Sequence, residues 1–306
     1  MDRRAVIDIG TNSIKLYVAE RAPDGSLGSI IDRNNIARLG EGMDDSGILK
    51  AEAIERNARA VAGFVDLARA NGAGEIVAVG TMALRTAKNA ADFVSAVQSL
   101  SGIGVQVIPG EEEAELAYLA VLSGIGASVG RLVVCDVGGG STEFIFGGEA
   151  GIDRRFSLNL GAVKVSDEYL SSDPPGSEQV KAATSFVLDA LTANRVDAEL
   201  PIDRLIGIGG TVTSMGSVKL KMERYDPGLI QGAALTRDDV DGLITLFRSI
   251  QLDDRRKIVG LQPKRAEVII GGACIVRGIM ECLGVAELTM SDRGLRHGLM
   301  FRLFQR

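Results

Sequence analysis

The chain has 306 residues, which is long enough for two domains of ordinary size. Hydrophobic residues make up 46% and charged residues 24%, a balance that excludes a disordered or fibrous protein. The formal net charge of −6 argues against non-specific binding of nucleic acid polymers, because that binding depends on clustered lysine and arginine. We therefore expect no nucleic acid partner, whereas a local phosphate site built from backbone N–H groups is compatible with an acidic protein.

The cysteines and the apolar runs indicate neither a secreted nor a membrane protein. Cys135, Cys274 and Cys282 are odd in number and lack metal-ligand spacing, so we expect reduced core residues. No apolar run approaches the roughly 18 residues that span a bilayer, and the first residues lack the apolar stretch of a signal peptide. The expected location is cytoplasmic, without a membrane partner.

Strand-like and helix-like patterns alternate along the chain. Apolar or alternating runs predict strands, and apolar residues spaced three to four apart predict helices. The predicted strands are 5–7, 14–19, 76–79, 105–108, 132–135, 142–146, 205–208 and 287–290, and the predicted helices are 50–70, 87–100, 111–122, 179–191, 240–249, 266–283 and a terminal helix after Gly294. This alternation predicts the α/β class.

Two glycine-containing segments in this pattern match each other. Asp8-Ile9-Gly10-Thr11-Asn12-Ser13 and Asp136-Val137-Gly138-Gly139-Gly140-Ser141 each follow an apolar strand and precede an alternating one. The order strand, tight turn, strand thus occurs twice, which predicts a duplicated fold whose two turns face each other across a cleft. A third loop rich in glycine and hydroxyl groups is expected at 209–214.

The residues of the two turns suit a phosphate group. Glycine lets the backbone approach an anion closely, and the neighbouring hydroxyl and amide side chains can donate hydrogen bonds. Asp8 and Asp136 end apolar strands, where a hard divalent cation would satisfy a carboxylate. Plain hairpin turns capped by these aspartates are the structural alternative. Two turns at matched positions favour phosphate and a Mg²⁺-type site.

At these residues the sequence resembles a known family. DxGTNS at 8–13, DxGGGSTE at 136–143 and IGGT at 208–211 resemble the actin-like ATPase superfamily of sugar kinases, heat-shock chaperones and actin. The closer resemblance is to exopolyphosphatases and guanosine pentaphosphate phosphohydrolases, the Ppx/GppA family, through the segments TMALR at 81–85, PGEEEA at 109–114 and SDRGLR at 291–296. It implies a duplicated ribonuclease H-like (actin-like ATPase) α/β fold, with two domains flanking a central cleft, in a short form without the family's C-terminal helical domains.

The resemblance also implies roles for individual residues. Glu113 lies where the family places the base that activates water, with Glu112 as the less favoured neighbour, and Glu143 matches a second carboxylate. The implied metal ligands, for Mg²⁺ or Mn²⁺, are Asp8, Asp136 and Glu143. The implied phosphate- or substrate-binding residues are Gly10, Thr11, Asn12, Ser13, Arg85, Gly138, Gly139, Gly140, Ser141, Thr142, Gly209, Gly210 and Thr211. Without the resemblance, the glutamates would form an acid-rich first helical turn and Arg85 would be a surface arginine.

Some residues depart from the family pattern or need no function. Met82 and Thr86 replace a serine and an acidic residue, and His297 stands where a glutamate is common. We expect a structural or surface role for His297, because phosphoanhydride hydrolysis in this scheme needs no histidine. The basic runs 255–257 and 264–265 are expected to be solvated faces, with a polyanion track as the alternative.

These observations predict an exopolyphosphatase that uses a divalent metal to release terminal orthophosphate from inorganic polyphosphate. Hydrolysis of guanosine pentaphosphate is the alternative within the same chemistry. A kinase of the same superfamily and a non-catalytic sensor of polyphosphate or an alarmone are alternatives of other classes. The predicted domains are 1–125, with helix 295–306 as a candidate to pack on it, and 126–294; a homodimer is implied by the resemblance only.

Overall fold

The computed structural model describes residues 2–23, 27–43, 46–125, 130–148, 151–196 and 201–305. The chain divides into two compact units, of which the first comprises Met1–Ala120 and Leu295–Arg306 and the second Val121–Gly294. Within the described ranges, every helix is too short or too polar to cross a membrane.

The first unit is built on a five-stranded sheet with the order β3-β2-β1-β4-β5. The first three strands form an antiparallel meander, and β4 and β5 continue the sheet in parallel beside β1. In chain order the elements are β1 (Arg3–Ile9), β2 (Ile14–Arg21), β3 (Leu27–Asn35), α1 (Ala51–Ala70), β4 (Glu75–Gly80), α2 (Met82–Thr86), α3 (Ala90–Ser101), β5 (Val105–Val107) and α4 (Gly110–Ile125). Helices supply the long crossovers that parallel strands require.

The second unit repeats this topology around a six-stranded sheet with the order β10-β11-β9-β6-β7-β8. Its strands are β6 (Leu132–Val137), β7 (Thr142–Gly148), β8 (Gly151–Leu158), β9 (Arg204–Ile208), β10 (Ala234–Thr236) and β11 (Glu287–Met290). Its helices are α5 (Ala162–Tyr169), α6 (Ser177–Ala193), α7 (Gly209–Lys219), α8 (Pro227–Ile230), α9 (Arg237–Arg248), α10 (Leu252–Arg255) and α11 (Ile269–Cys282). The meander β6-β7-β8 followed by parallel β9 and β11 matches the first unit, which confirms the predicted duplication.

Apolar side chains cover the sheets where helices pack. In the first unit, α1 and α3 pack on one face, and the last helix, α12 (Leu295–Gln305), packs on the other face against β1 and β2. In the second unit, α6, α9 and α11 share one core with the sheet. Cys135 and Cys274 are buried in that core and Cys282 is half-buried, and all three are free thiols, as predicted.

Several features differ from the sequence predictions. The expected loop at 209–214 is wrong, because α7 begins at Gly209 directly after β9. The strands β3 and β8 were not predicted because they carry charged and exposed residues without a clear apolar alternation. The expectation of solvated basic runs is wrong for Arg255 and Arg265, which are only 3% and 7% exposed.

A partly exposed ion pair joins α12 to the meander of the first unit. Arg296 donates from Nε and Nη2 to the two carboxylate oxygens of Asp32 on β3, at 3.0 and 2.8 Å. His297 lies 3.5 Å from the same carboxylate and packs on the Tyr17 ring, with 4.6 Å between centroids. Burial raises the pKa of the Asp32 carboxyl, but the contacts with His297 and Arg296 outweigh burial and hold it at about 2. The structure thus gives His297 a place in the packing of α12.

We predict that Asp32→Asn lowers the free energy of unfolding at pH 7 by about 1 kcal/mol, because a partly exposed ion pair contributes modestly. The depressed folded-state pKa means that this contribution is complete above the unfolded-state value near 4 and is lost as the pH falls towards about 2. Urea unfolding of both proteins at pH 7, 5 and 3.5 should therefore show a difference that shrinks only at the lowest pH. Asp66→Asn, at an exposed position of α1, is the control and should change stability little at any of these pH values. A difference independent of pH would contradict this account.

Candidate active site

The first predicted phosphate turn joins β1 to β2. The N–H of Gly10 donates to the Ser13 carbonyl at 2.9 Å, and a Cβ at Gly10 would lie 3.1 Å from that oxygen. The carbonyls of Thr11 and Asn12 accept bonds from the N–H groups of Gly40 and Arg38, each at 2.9 Å. The N–H groups of Thr11 and Asn12 donate to no other residue in the described part of the chain. Adjacent backbone donors of this kind form an anion-binding concavity.

The second turn, between β6 and β7, repeats this geometry. The N–H of Gly138 donates to the Ser141 carbonyl at 2.9 Å, and a Cβ at Gly138 would lie 3.0 Å from that oxygen. The carbonyls of Gly138 and Gly139 accept bonds from Ala162 and Val163 at the start of α5, at 3.0 and 2.9 Å. Among the residues that the structure describes, none accepts a bond from the N–H groups of Gly139 and Gly140. The two turns therefore share the closing bond and the two middle N–H groups. The carbonyls that accept bonds from outside belong to the second and third residues of the first turn and to the first and second residues of the second turn.

Gly161 packs against the backbone of the second turn, a role that the sequence did not indicate. It is the N-cap residue of α5, and its backbone is extended at φ −127° and ψ 159°. A Cβ on Gly161 would collide with backbone atoms of Gly139 and Gly140. The turn can keep its position only because Gly161 has no side chain.

The third predicted segment forms the first turn of α7. Gly209 has φ +87°, a conformation that favours glycine, and a Cβ there would collide with the Asp136 carboxylate. Thr211 is buried, at 5% exposure, beside Gly272 of α11. The first N–H groups of a helix lack intrahelical acceptors and carry the positive end of the helix dipole. Gly210 and Thr211 thus lie at a helix end that suits an anion.

Arg265 adds a positive charge at this helix end. It follows Lys264 in a short 3₁₀ turn, Pro263–Arg265, and its guanidinium lies so close to Gly210 that a Cβ there would overlap it. Burial lowers the pKa of Arg265 to about 10, so the group stays protonated at neutral pH. No carboxylate in the described ranges forms an ion pair with it. Arg265 and Gly210 are 55 residues apart and meet only in the folded chain, so no local sequence pattern predicts this contact.

The carboxylates predicted to bind metal occupy equivalent positions in the two units, with different neighbours. Asp8 lies opposite Lys15 in the β1–β2 ladder, and the Lys15 ammonium is 3.3 Å from its carboxylate. Asp136 lies opposite Glu143 in the β6–β7 ladder, and Glu143 is buried and accepts a bond from Ser157 Oγ at 2.7 Å. Two carboxylates placed opposite each other repel, which a divalent cation would relieve.

The charge of Asp136 also acts on its neighbour Cys135. Burial, and then the Asp136 carboxylate, raise the pKa of the Cys135 thiol far above its ordinary value. The thiol therefore stays protonated and is a poor nucleophile.

The three glutamates at the start of α4 have different surroundings. Glu113 is 8% exposed, and its Oε2 accepts a bond from Arg85 Nη1 at 3.0 Å. The same Arg85 nitrogen donates to the Ile108 carbonyl at 3.0 Å, which fixes the guanidinium beside the start of α4. Glu112 instead pairs with Arg302 of α12 at 2.8 Å, and Glu111 is exposed. The structure thus joins the predicted base to the predicted phosphate-binding arginine and places Glu112 at a contact between helices.

Comparisons with known proteins identify the family of this chain. A model of the Ppx/GppA phosphatase family matches residues 17–306. Exopolyphosphatase 2 of Mycobacterium tuberculosis is 31% identical to this chain, over 99% of this chain and 99% of its own length.

Solved structures give the same result. The crystal structure of the Aquifex aeolicus member of the Ppx/GppA family is 32% identical, covers 99% of this chain and 98% of that chain, and has a TM-score of 0.83. A crystal structure of an exopolyphosphatase from Cytophaga hutchinsonii, at 22% identity, has a TM-score of 0.89 over 99% of this chain and 98% of that chain, which shows the shared fold. The family match, the two full-length relatives and the paired turns together place this chain in the Ppx/GppA phosphatase family, with its actin-like ATPase fold.

Proposed function

We propose that this chain is a metal-dependent exopolyphosphatase, which hydrolyses inorganic polyphosphate and releases terminal orthophosphate. The observation that carries this proposal is the pair of matched turns, whose middle N–H groups donate to no other described residue. Polyphosphate is a chain of anionic phosphate groups that carries no base or sugar. Backbone N–H groups bind phosphate oxygens without contacts to any other part of a ligand. The name of the mycobacterial relative at 31% identity supports the same substrate.

In this proposal, the phosphates are bound by backbone N–H groups, hydroxyl groups and one buried guanidinium. The N–H groups are those of Thr11 and Asn12 in the first turn, those of Gly139 and Gly140 in the second, and the first turn of α7. The hydroxyl donors are Thr11, Ser13, Ser141 and Thr211. The guanidinium of Arg265 supplies charge where the α7 dipole already favours an anion.

Asp136 and Glu143 fit a divalent metal, because they are hard oxygen donors opposite each other on paired strands. A bound Mg²⁺ or Mn²⁺ would offset negative charge on the phosphates. Asp8 as a further ligand stays a prediction, and its carboxylate is shared with Lys15 at 3.3 Å.

Glu113 is the proposed general base. Its carboxylate takes a proton from water as the water oxygen attacks the terminal phosphorus in line. The bridging P–O bond breaks, orthophosphate leaves, and the bridging oxygen stays on the shortened chain. Arg85 holds Glu113 through the 3.0 Å bond to Oε2, so the base is oriented before substrate arrives.

The proposal predicts a substrate order for the purified protein. With Mg²⁺ or Mn²⁺, orthophosphate release should be fastest from polyphosphate, slower from guanosine pentaphosphate and slowest from ATP, and a chelator should abolish it. Release measured with each substrate at equal phosphate concentration tests the order. Faster phosphate release from guanosine pentaphosphate would make that compound the preferred substrate. Binding of polyphosphate without phosphate release from any of the compounds would contradict a hydrolase.

Glu113→Gln should lower kcat about 10³-fold while KM for polyphosphate changes little, because the amide cannot accept the proton from water. Steady-state phosphate release measures both constants. Glu111→Gln is the matched control, since it removes one charge from the same first turn of α4 at an exposed position. Full kcat in the Glu113 variant would exclude it as the base.

Gly161→Ala should lower kcat/KM at least about 10²-fold, because its Cβ must displace the backbone of the second turn and a misplacement of roughly 1 Å has that effect. Gly176→Ala is the control: Gly176 is the N-cap of α6, has a similar extended backbone, and has nothing within 4 Å of the added Cβ. The control should keep wild-type kinetics. Equal kinetics for both variants would show that the second turn does not need its present position.

A further inference from the structure

We propose that Arg255 is a positioning residue, which holds the Arg265 guanidinium at the N-terminus of α7. The inference rests on the proposed function, because that function assigns Arg265 contact with a substrate phosphate. Arg255 itself lies at the end of α10 and is assigned no contact with substrate.

Arg255 joins two separate stretches of backbone and one side-chain carboxylate. Its Nε donates to the Phe247 carbonyl at 2.8 Å and its Nη2 to the Ile250 carbonyl at 3.1 Å, both at the end of α9. Its Nη1 donates to the Ala266 carbonyl at 3.0 Å, one residue after Arg265. Asp173 Oδ1 lies 3.5 Å from Nη2, on the segment before α6. The guanidinium therefore ties the 3₁₀ turn that carries Arg265 to the end of α9.

The Arg255 side chain is buried, although its charge is costly to remove from water. Its side chain is 4% exposed, whereas that of its partner Asp173 is 47% exposed. The ion pair therefore joins a buried group to an exposed one, and its N–O distance is 3.5 Å. Burial lowers the pKa of Arg255, which reflects the unfavourable transfer of its charge from water. The bonds to the Phe247 and Ala266 carbonyls are both buried, so the same guanidinium satisfies the end of α9 and the residue after Arg265. A fixed position for the turn at Ala266 is what the buried arginine adds.

The 3₁₀ turn is too short to fix Arg265 by itself. It spans three residues, and its internal bonds run from the N–H of Arg265 to the Gln262 carbonyl at 2.8 Å and from the N–H of Ala266 to the Pro263 carbonyl at 3.2 Å. In the described ranges no carboxylate forms an ion pair with the Arg265 side chain, whose guanidinium packs against Gly210 and interacts electrostatically with Tyr225. Loss of the Ala266 tether would therefore let the guanidinium move away from the phosphate.

A double-mutant cycle tests this coupling. We would measure Kd for polyphosphate by calorimetry, and KM and kcat by phosphate release, for the wild type, Arg255→Met, Arg265→Met and the double variant. Arg265→Met should raise Kd and KM about 10-fold or more, the effect of losing a charge-assisted bond to phosphate. Arg255→Met should raise both severalfold in the wild type but less than about twofold in the Arg265→Met protein, since it acts through Arg265. Arg255→Lys, which keeps a donor and the charge, should give an intermediate Kd and remains informative if Arg255→Met does not fold.

Arg237 provides a matched structural control in the same unit. Its guanidinium donates to the Val285 and Met280 carbonyls at 2.7 and 2.9 Å, and so makes the same kind of backbone clamp elsewhere. Arg237→Met should lower thermal stability and leave Kd and KM unchanged. If Arg255 variants behave like Arg237→Met, or if their effect on Kd adds fully to that of Arg265→Met, Arg255 is a structural residue only.

The same measurements separate this inference from the proposed function. Wild-type binding of polyphosphate without phosphate release would contradict the hydrolase, while the Kd cycle would still decide the role of Arg255. Wild-type Kd in the Arg265→Met protein would remove Arg265 from the binding residues and overturn the inference. Absence of polyphosphate binding by the wild type would overturn both.

Discussion

The closing bond of each glycine turn, from the first N–H to the fourth carbonyl, is the constraint on which the site depends. Gly10 and Gly138 make it at the same length, 2.9 Å, and in each unit the strand ladder resumes immediately after the fourth residue. A side chain at the first position would press on the fourth carbonyl, which accounts for glycine there. With this bond formed, the two middle N–H groups cannot pair within the hairpin. They become the donors that a phosphate can use.

A turn of this kind also needs partners for its carbonyls, and the two units supply them differently. In the first unit the extended segment at Arg38 and Gly40 donates two N–H groups to the turn. In the second unit the opening residues of α5 do the same, with Gly161 allowing the close approach. Both arrangements satisfy two carbonyls from outside the hairpin, and the middle N–H groups of both turns have no acceptor among the described residues. The closing bond is thus common to both turns, while the carbonyls that accept bonds from outside differ by one position.

Much of this organisation could be predicted from local sequence. The paired turns, the α/β class and most helices follow from glycine positions and apolar spacing, which depend on neighbouring residues. The edge strands β3 and β8 could not be predicted, because one of their faces is exposed and their sequences are polar. Arg265 and Gly161 could not be predicted either, because their roles come from contacts with residues distant in sequence. Gly161 contacts the second turn, roughly 20 residues before it, and Arg265 contacts Gly210, roughly 55 residues before it. Arg255 was misassigned for the same reason: a basic run does not reveal which of its members is buried.

The two halves of the duplication differ most at the position opposite the aspartate that ends the first strand. Lys15 opposite Asp8 makes a neutral pair, whereas Glu143 opposite Asp136 doubles the negative charge. An ammonium group cannot coordinate a metal, so within the proposed mechanism the first turn meets phosphate with a cationic side chain already present. The second turn has two carboxylates at the same place, and an anion approaching them would be repelled unless a divalent cation lay between. Within the proposed mechanism, the requirement for a metal therefore arises from the second unit, at the register position where the two hairpins differ in charge.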